Sequence, residues 1–122
     1  MYSVLLVDDE PSVLTGLRYV IDWDEYGVEI AGTASNGTQA LELLRELPVD
    51  ILITDIQMPQ MGGLELLQQV RAQKRDLRCI ILTGYDYFKY VKKAAQLGIE
   101  NYLLKPVSPE EHSVTLLNPI TK

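Results

Sequence analysis

Asp8, Asp9 and Glu10, then Asp55, Thr83 and Lys105, are the side chains of this sequence that could do chemistry together. Each follows the end of a short apolar run by one to three residues. Carboxylates crowded together repel, and one would be protonated unless a cation sat among them. A hard divalent ion with oxygen ligands meets that need. Mg²⁺ suits it, because it keeps several waters and takes one or two carboxylates plus a phosphate oxygen. An ammonium and a hydroxyl nearby can hold further phosphoryl oxygens, and a carboxylate can itself be the nucleophile. The composite is a phosphoryl-transfer site with an aspartate acceptor, working by positioning and charge neutralisation.

Such a site needs elements that bring distant residues together. Four runs, Ser3-Val4-Leu5-Leu6-Val7, Asp50-Ile51-Leu52-Ile53-Thr54, Arg78-Cys79-Ile80-Ile81-Leu82 and Asn101-Tyr102-Leu103-Leu104, are too short for helices and too continuous for half-exposed strands. Continuous apolar strands are what a parallel sheet covered on both faces requires. A weaker alternating run over 28–34 reads as an edge strand. Between them lie segments of helical period: Val13, Leu14, Leu17, Val20 and Ile21 in 11–21; Ala40, Leu41, Leu44 and Leu47 in 37–47; Leu64, Leu67 and Val70 in 63–73; Phe88, Val91, Ala95 and Leu97 in 86–97. Pro11 suits a first helical turn, Asn36 and Asp86 suit N-caps, and Gly98 suits the position just past a helix. The alternation predicts an α/β, doubly wound parallel sheet with right-handed crossovers. In such sheets ligands bind outside the carboxyl ends of the strands, where the reactive residues fall. A last helix over about 109–117 is seeded by Ser108-Pro109-Glu110-Glu111 and stopped by Pro119.

Composition narrows the class. The chain has 122 residues, 47% hydrophobic and 23% charged, which describes one globular domain. Its single cysteine, Cys79, excludes a disulfide framework and a multi-thiolate metal site, and reads as an inert core residue. Eleven Lys and Arg stand against 17 Asp and Glu, a net charge of −6, which argues against direct nucleic acid binding. No apolar run reaches membrane-span length and the N-terminus lacks a basic leader, so the expectation is a cytoplasmic domain with no membrane contact. His112 is a lone histidine beside an acidic pair, and Trp23 and Tyr26 are expected to pack the connection after the first helix.

Four stretches in order, Leu5-Leu6-Val7-Asp8-Asp9-Glu10, Thr54-Asp55-Ile56-Gln57-Met58-Pro59, Ile81-Leu82-Thr83-Gly84-Tyr85 and Tyr102-Leu103-Leu104-Lys105-Pro106, resemble the receiver domain of bacterial two-component response regulators. The resemblance covers residues 2–110. With Ile21-Asp22-Trp23-Asp24-Glu25-Tyr26-Gly27 and Gly84-Tyr85-Asp86-Tyr87-Phe88, it looks most like receivers joined to AraC-type DNA-binding domains. The resemblance implies a flavodoxin-like sheet of five strands in the order 2-1-3-4-5. It implies a phosphorylation-activated switch rather than an enzyme, with Asp55 as phosphoacceptor and a sensor histidine kinase as donor. Mg²⁺ would be held by Asp9 and Asp55 directly, by Asp8 mainly through water, and by the backbone carbonyl of Gln57. Lys105 would pair with phosphoryl oxygens, Thr83 would donate its hydroxyl to them, and Tyr102 would turn inward as Thr83 moves. The bond before Pro106 is expected cis. Gln57 and Tyr85 would tune phosphate lifetime, a bulky Tyr85 shielding the acyl phosphate. The 86–117 face would report the state, normally by homodimerisation.

The sequence departs from the family at Gly62, where an acid is common, and in the poor helix formers after Glu111, which put dimerisation through that face in doubt. The expectation is one receiver domain over 1–122 with no output domain in this chain: either a piece cut from a longer transcriptional regulator, the favoured reading, or a stand-alone regulator with an atypical end. Two other readings compete. A phosphatase of the haloacid-dehalogenase type wants a second acid two residues after the nucleophile, where Gln57 stands. A receiver that is never phosphorylated is opposed by the intact acid, hydroxyl and lysine set.

Overall fold

The computed structural model describes residues 1–73, 76–83, 88–99 and 101–104. The strands are β1 (Tyr2–Val7), β2 (Val28–Ala34), β3 (Ile51–Asp55), β4 (Arg78–Thr83) and β5 (Asn101–Leu104). The helices are α1 (Pro11–Val20), α2 (Gly37–Glu46), α3 (Gly63–Ala72) and α4 (Phe88–Gln96). All neighbouring strand pairs are parallel, and the order is β2-β1-β3-β4-β5. The weak 28–34 run is the edge strand beside β1.

Both sheet faces are covered, as the continuous apolar runs require. Val4, Leu6, Ile51, Ile53, Ile80 and Leu82 point to one side, where they meet Leu17, Ile21 and Trp23. Leu5, Val7, Leu52, Cys79 and Ile81 point to the other, where α2, α3 and α4 contribute Ala40, Leu44, Leu66, Leu67, Val70 and Ala94. Each buried aliphatic side chain contributes roughly 1.5–3 kcal/mol, so these two layers are the main driving force of the fold.

The punctuation residues act as their chemistry dictates. Pro11 opens α1. Asn36 caps α2, its Oδ1 accepting from the Gln39 amide at 2.8 Å, while Gln39 Oε1 accepts from the Ser35 amide at 2.6 Å. Gly98 takes φ +82 just past α4, a left-handed turn that glycine enters without steric cost. Trp23 is buried and donates its indole N–H to the Leu17 carbonyl at 3.0 Å, sealing the end of α1. A short 3-10 turn, Asp24–Tyr26, follows it and leads into β2.

Two helix faces differ from the periodicity reading. Leu66 is fully buried in α3, where the sequence pattern pointed to Leu64, Leu67 and Val70. In α4 the buried alanine is Ala94, and Ala95 is exposed. Ala94 and Leu97 share the inner face at an i+3 step, whereas the choice of Ala95 followed an i+4 step from Val91; both spacings share a helix face. Asp86, Pro106 and the 109–117 segment lie outside the described residues. Among the described residues, no helix is long and apolar enough to cross a membrane.

Candidate functional site

The strand order reverses between β1 and β3, and the candidate site lies at the carboxyl ends of those two strands. Val7 pairs with Thr54, so Asp8 and Asp9, just past β1, come beside Asp55, the last residue of β3. Strand pairing thus joins acids 46 and 47 positions apart in the sequence. One carboxylate oxygen from each of the three lies within 4.8 Å of those of the other two.

The three acids differ in environment. Asp8 is 1% exposed; its Oδ1 accepts from the Glu10 amide at 2.9 Å, and its own amide donates to the Ala34 carbonyl at 3.1 Å. Asp55 is 7% exposed, and its Oδ1 accepts from the Ile56 amide at 2.8 Å. Asp9 is exposed and faces a cleft of about 430 Å³ lined also by Ile56, Gln57, Met58, Pro59 and Gly62. Two buried carboxylates are therefore held rigidly by backbone amides, and a third stands at the mouth. Three close carboxylate oxygen donors, with no sulfur or nitrogen among them, fit a hard cation such as Mg²⁺.

The loop after Asp55 is fixed at both ends. The Gly63 amide donates to the Ile56 carbonyl at 2.7 Å, and the Gly37 amide at the start of α2 donates to the Met61 carbonyl at 2.7 Å. A β-carbon on Gly63 would collide with the Asp55 carbonyl oxygen, and one on Gly37 would press to 2.6 Å of Met61 Cγ. Gln60, between these anchors, takes φ +68, a left-handed conformation uncommon outside glycine. The sequence reading attached no role to Gly37 or Gly63. A glycine opening each of two helices was the only available signal, since close backbone approach leaves no chemical mark in a sequence.

The remaining candidates divide by position. Gln57 is exposed on the cleft. Thr83 ends β4 at the same edge, one residue beyond Leu82, which pairs with Asp55. Tyr102 lies on β5 opposite Ile81 and is 37% exposed. Lys105, Pro106, Tyr85 and His112 lie outside the described residues. Cys79 is fully buried as the sequence suggested, but it touches a guanidinium that the sequence reading overlooked: Arg71 Nη2 lies 3.5 Å from its sulfur.

The chain matches the response regulator receiver domain family over residues 4–116. It is 40% identical over 111 residues to the transcriptional regulatory protein YesN of Bacillus subtilis, covering 91% of this chain and 30% of that protein. It is 37% identical over 116 residues to the transcriptional regulatory protein HptR of Staphylococcus aureus, covering 95% of this chain and 45% of that one. The chain spans less than half the length of these curated relatives. Among solved structures, it is similar to the REC domain of the response regulator AraT from Geobacillus stearothermophilus, with TM-score 0.84 and 41% identity over 88% of this chain and 84% of that one. It is also similar to a two-component transcriptional regulator AraC from Clostridium phytofermentans, with TM-score 0.87 and 30% identity over 98% and 93% of the two chains.

Proposed function

The chain belongs to the response regulator receiver domain family, and from that premise we propose that Asp55 is its phosphoacceptor, loaded by a sensor histidine kinase with Mg²⁺ held by the neighbouring acids. The observation that carries this reading is the meeting of Asp8, Asp9 and Asp55 within 4.8 Å at the sheet's reversal point.

Asp8, Asp9, Asp55 and the Gln57 backbone carbonyl would hold the ion, whose charge offsets both the carboxylates and the incoming phosphoryl group. The Ile56 amide on Asp55 Oδ1 orients the acceptor carboxylate, supporting Oδ2 as the attacking atom. That oxygen forms the new bond to phosphorus as the bond from phosphorus to the donor nitrogen breaks, and the nitrogen keeps the electron pair. The open cleft lined by Asp9, Gln57 and Gly62 also takes in Ile56, the residue after Asp55, and would be the side from which a donor approaches.

Phosphorylation adds about −1.5 to −2 charges and strong acceptor oxygens. Thr83, at the end of the strand beside Asp55, would then gain a charge-assisted hydrogen bond that the unmodified carboxylate does not offer. That differential interaction shifts a two-state equilibrium of the segment after β4. Lys105 would pair with the phosphoryl oxygens, Tyr102 would turn inward with Thr83, and the 86–117 face would report the state. Chain 1–122 is one receiver unit, and the relatives' names support a parent protein that regulates transcription.

Incubation with acetyl phosphate and Mg²⁺, followed by intact-mass measurement, tests the acceptor. Wild type gains one phosphoryl group that hydroxylamine removes, and Asp55→Asn gains none. Modification of Asp55→Asn to the same extent overturns the assignment.

A further inference from the structure

We propose that Arg71 is a positioning residue that pins the C-terminal end of α4, so that α4 answers the phosphorylation site by tilting about that end. The pinning stands on contacts within the fold, and the tilting rests on the switch role given above to Asp55 and Thr83.

Arg71 lies in the last turn of α3. Its Nε donates to the Leu97 carbonyl at 2.9 Å, and its Nη2 donates to the Gly98 carbonyl at 2.6 Å. Its Nη1 donates to the Leu77 carbonyl at 2.9 Å, just before β4, and Nη2 also approaches Cys79 Sγ. One planar guanidinium thus holds the turn after α4 and the start of β4 together.

The site chemistry suits a clamp. The carbonyls after α4 carry the partial negative charge of a helix C-terminus, and a guanidinium placed there makes charge-assisted hydrogen bonds. The turn it grips is already ordered, with the Leu97 amide donating to Ala94 O at 2.9 Å and the Gly98 amide to Ala95 O at 3.1 Å. Ala94 is fully buried, and Leu97 and Ile99 pack against the same core.

The helix that carries Arg71 also touches the site. α3 begins at Gly63, whose amide holds the Ile56 carbonyl next to Asp55. Arg71 is eight residues further along, about 12 Å at the helical rise. α3 is therefore a short rigid strut whose first residue abuts the acceptor's backbone and whose last turn fixes the far end of α4. With that end held, displacement of α4 is largest at its N-terminal end, which follows the segment after Thr83.

Hydrogen exchange of wild type, Arg71→Ala and Arg71→Lys, each with and without acetyl phosphate and Mg²⁺, tests both parts. In the unphosphorylated protein, Arg71→Ala speeds exchange at the Leu97 and Gly98 amides by roughly tenfold to a hundredfold, the factor for loss of hydrogen bonds to a charged group. Amides of β1 and β3 stay unchanged, and Arg71→Lys, which keeps charge without the fork, falls between. Equal acceleration throughout the domain, or none at Leu97 and Gly98, overturns the clamp; Arg71→Lys decides if Arg71→Ala does not fold. On phosphorylation, wild type changes exchange in the first turn of α4 and not at 94–98, whereas Arg71→Ala changes at both ends. Equal change at both ends of α4 in wild type overturns the tilt. A wild-type mass that does not increase removes the acceptor reading and the tilt with it, while the unphosphorylated comparison still decides the clamp.

Discussion

Replacing Asp8 by asparagine should make the metal-free domain more stable. Asp8 and Asp55 are both buried, and an oxygen of one carboxylate lies within 4.8 Å of an oxygen of the other. At an effective dielectric of about 20, two unit charges at that separation repel by about 3–4 kcal/mol. Proton uptake caps this strain, because protonating an ordinary aspartate at pH 7 costs about 4 kcal/mol. Asparagine keeps the shape and the acceptor oxygen, so the hydrogen bond from the Glu10 amide survives and charge is the main variable. In EDTA, Asp8→Asn is expected to raise stability by about 1–3 kcal/mol, with each kcal/mol worth roughly 3–6 °C in Tm for a domain of this size. Mg²⁺ reverses the comparison, since an ion that binds only the folded state stabilises it by mass action and wild type binds it more tightly. Urea and thermal unfolding in EDTA and across a Mg²⁺ titration measure both effects, and a double-mutant cycle with Asp55→Asn isolates the pairwise coupling. A less stable Asp8→Asn protein in EDTA, or an equal gain from Mg²⁺ in both proteins, would refute the electrostatic reasoning.

Other outcomes follow from single contacts. Gly63→Ala places a methyl against the Asp55 carbonyl and 3.1 Å from Ile56 Cα. It should lower stability by about 1–3 kcal/mol and slow acetyl phosphate loading by up to about 100-fold if the acceptor moves by about 1 Å; unfolding curves and mass-resolved kinetics check both. Asn36→Ala removes the cap on α2 and should cost about 0.5–2 kcal/mol by denaturant unfolding, with acceptor chemistry retained. Tyr85→Ala should speed loss of the phosphoryl group, which otherwise persists for minutes or longer, as followed by intact mass over time; an unchanged decay sinks the shielding role.

The strands, their parallel pairing and the polarity of the site were legible in the chain, because burial on both faces demands unbroken apolar runs and the reactive residues fall at their ends. Ile51, Leu52 and Ile53 could hardly be anything but a central strand, and all are fully buried. Asn36 and Gly98 marked helix boundaries through local chemistry that needs no tertiary context. Helix faces were less legible. Ala94 and Ala95 are chemically identical, and only packing against the core decides which is buried.

The sequence also carried the resemblance that names Asp55, but it could not measure how closely Asp8, Asp9 and Asp55 gather. Pairing of β1 with β3 decided that, because it brings residues far apart in the chain to one edge. The tertiary structure alone disclosed the glycines at 37 and 63, needed where two backbones meet too closely for a β-carbon. It alone disclosed Arg71, which reads in the sequence as one more helix-surface cation. Its partners are backbone carbonyls 26 and 27 residues away, and every residue has a carbonyl. Contacts to backbone leave no signature in side-chain chemistry, so they emerge only when the chain is folded.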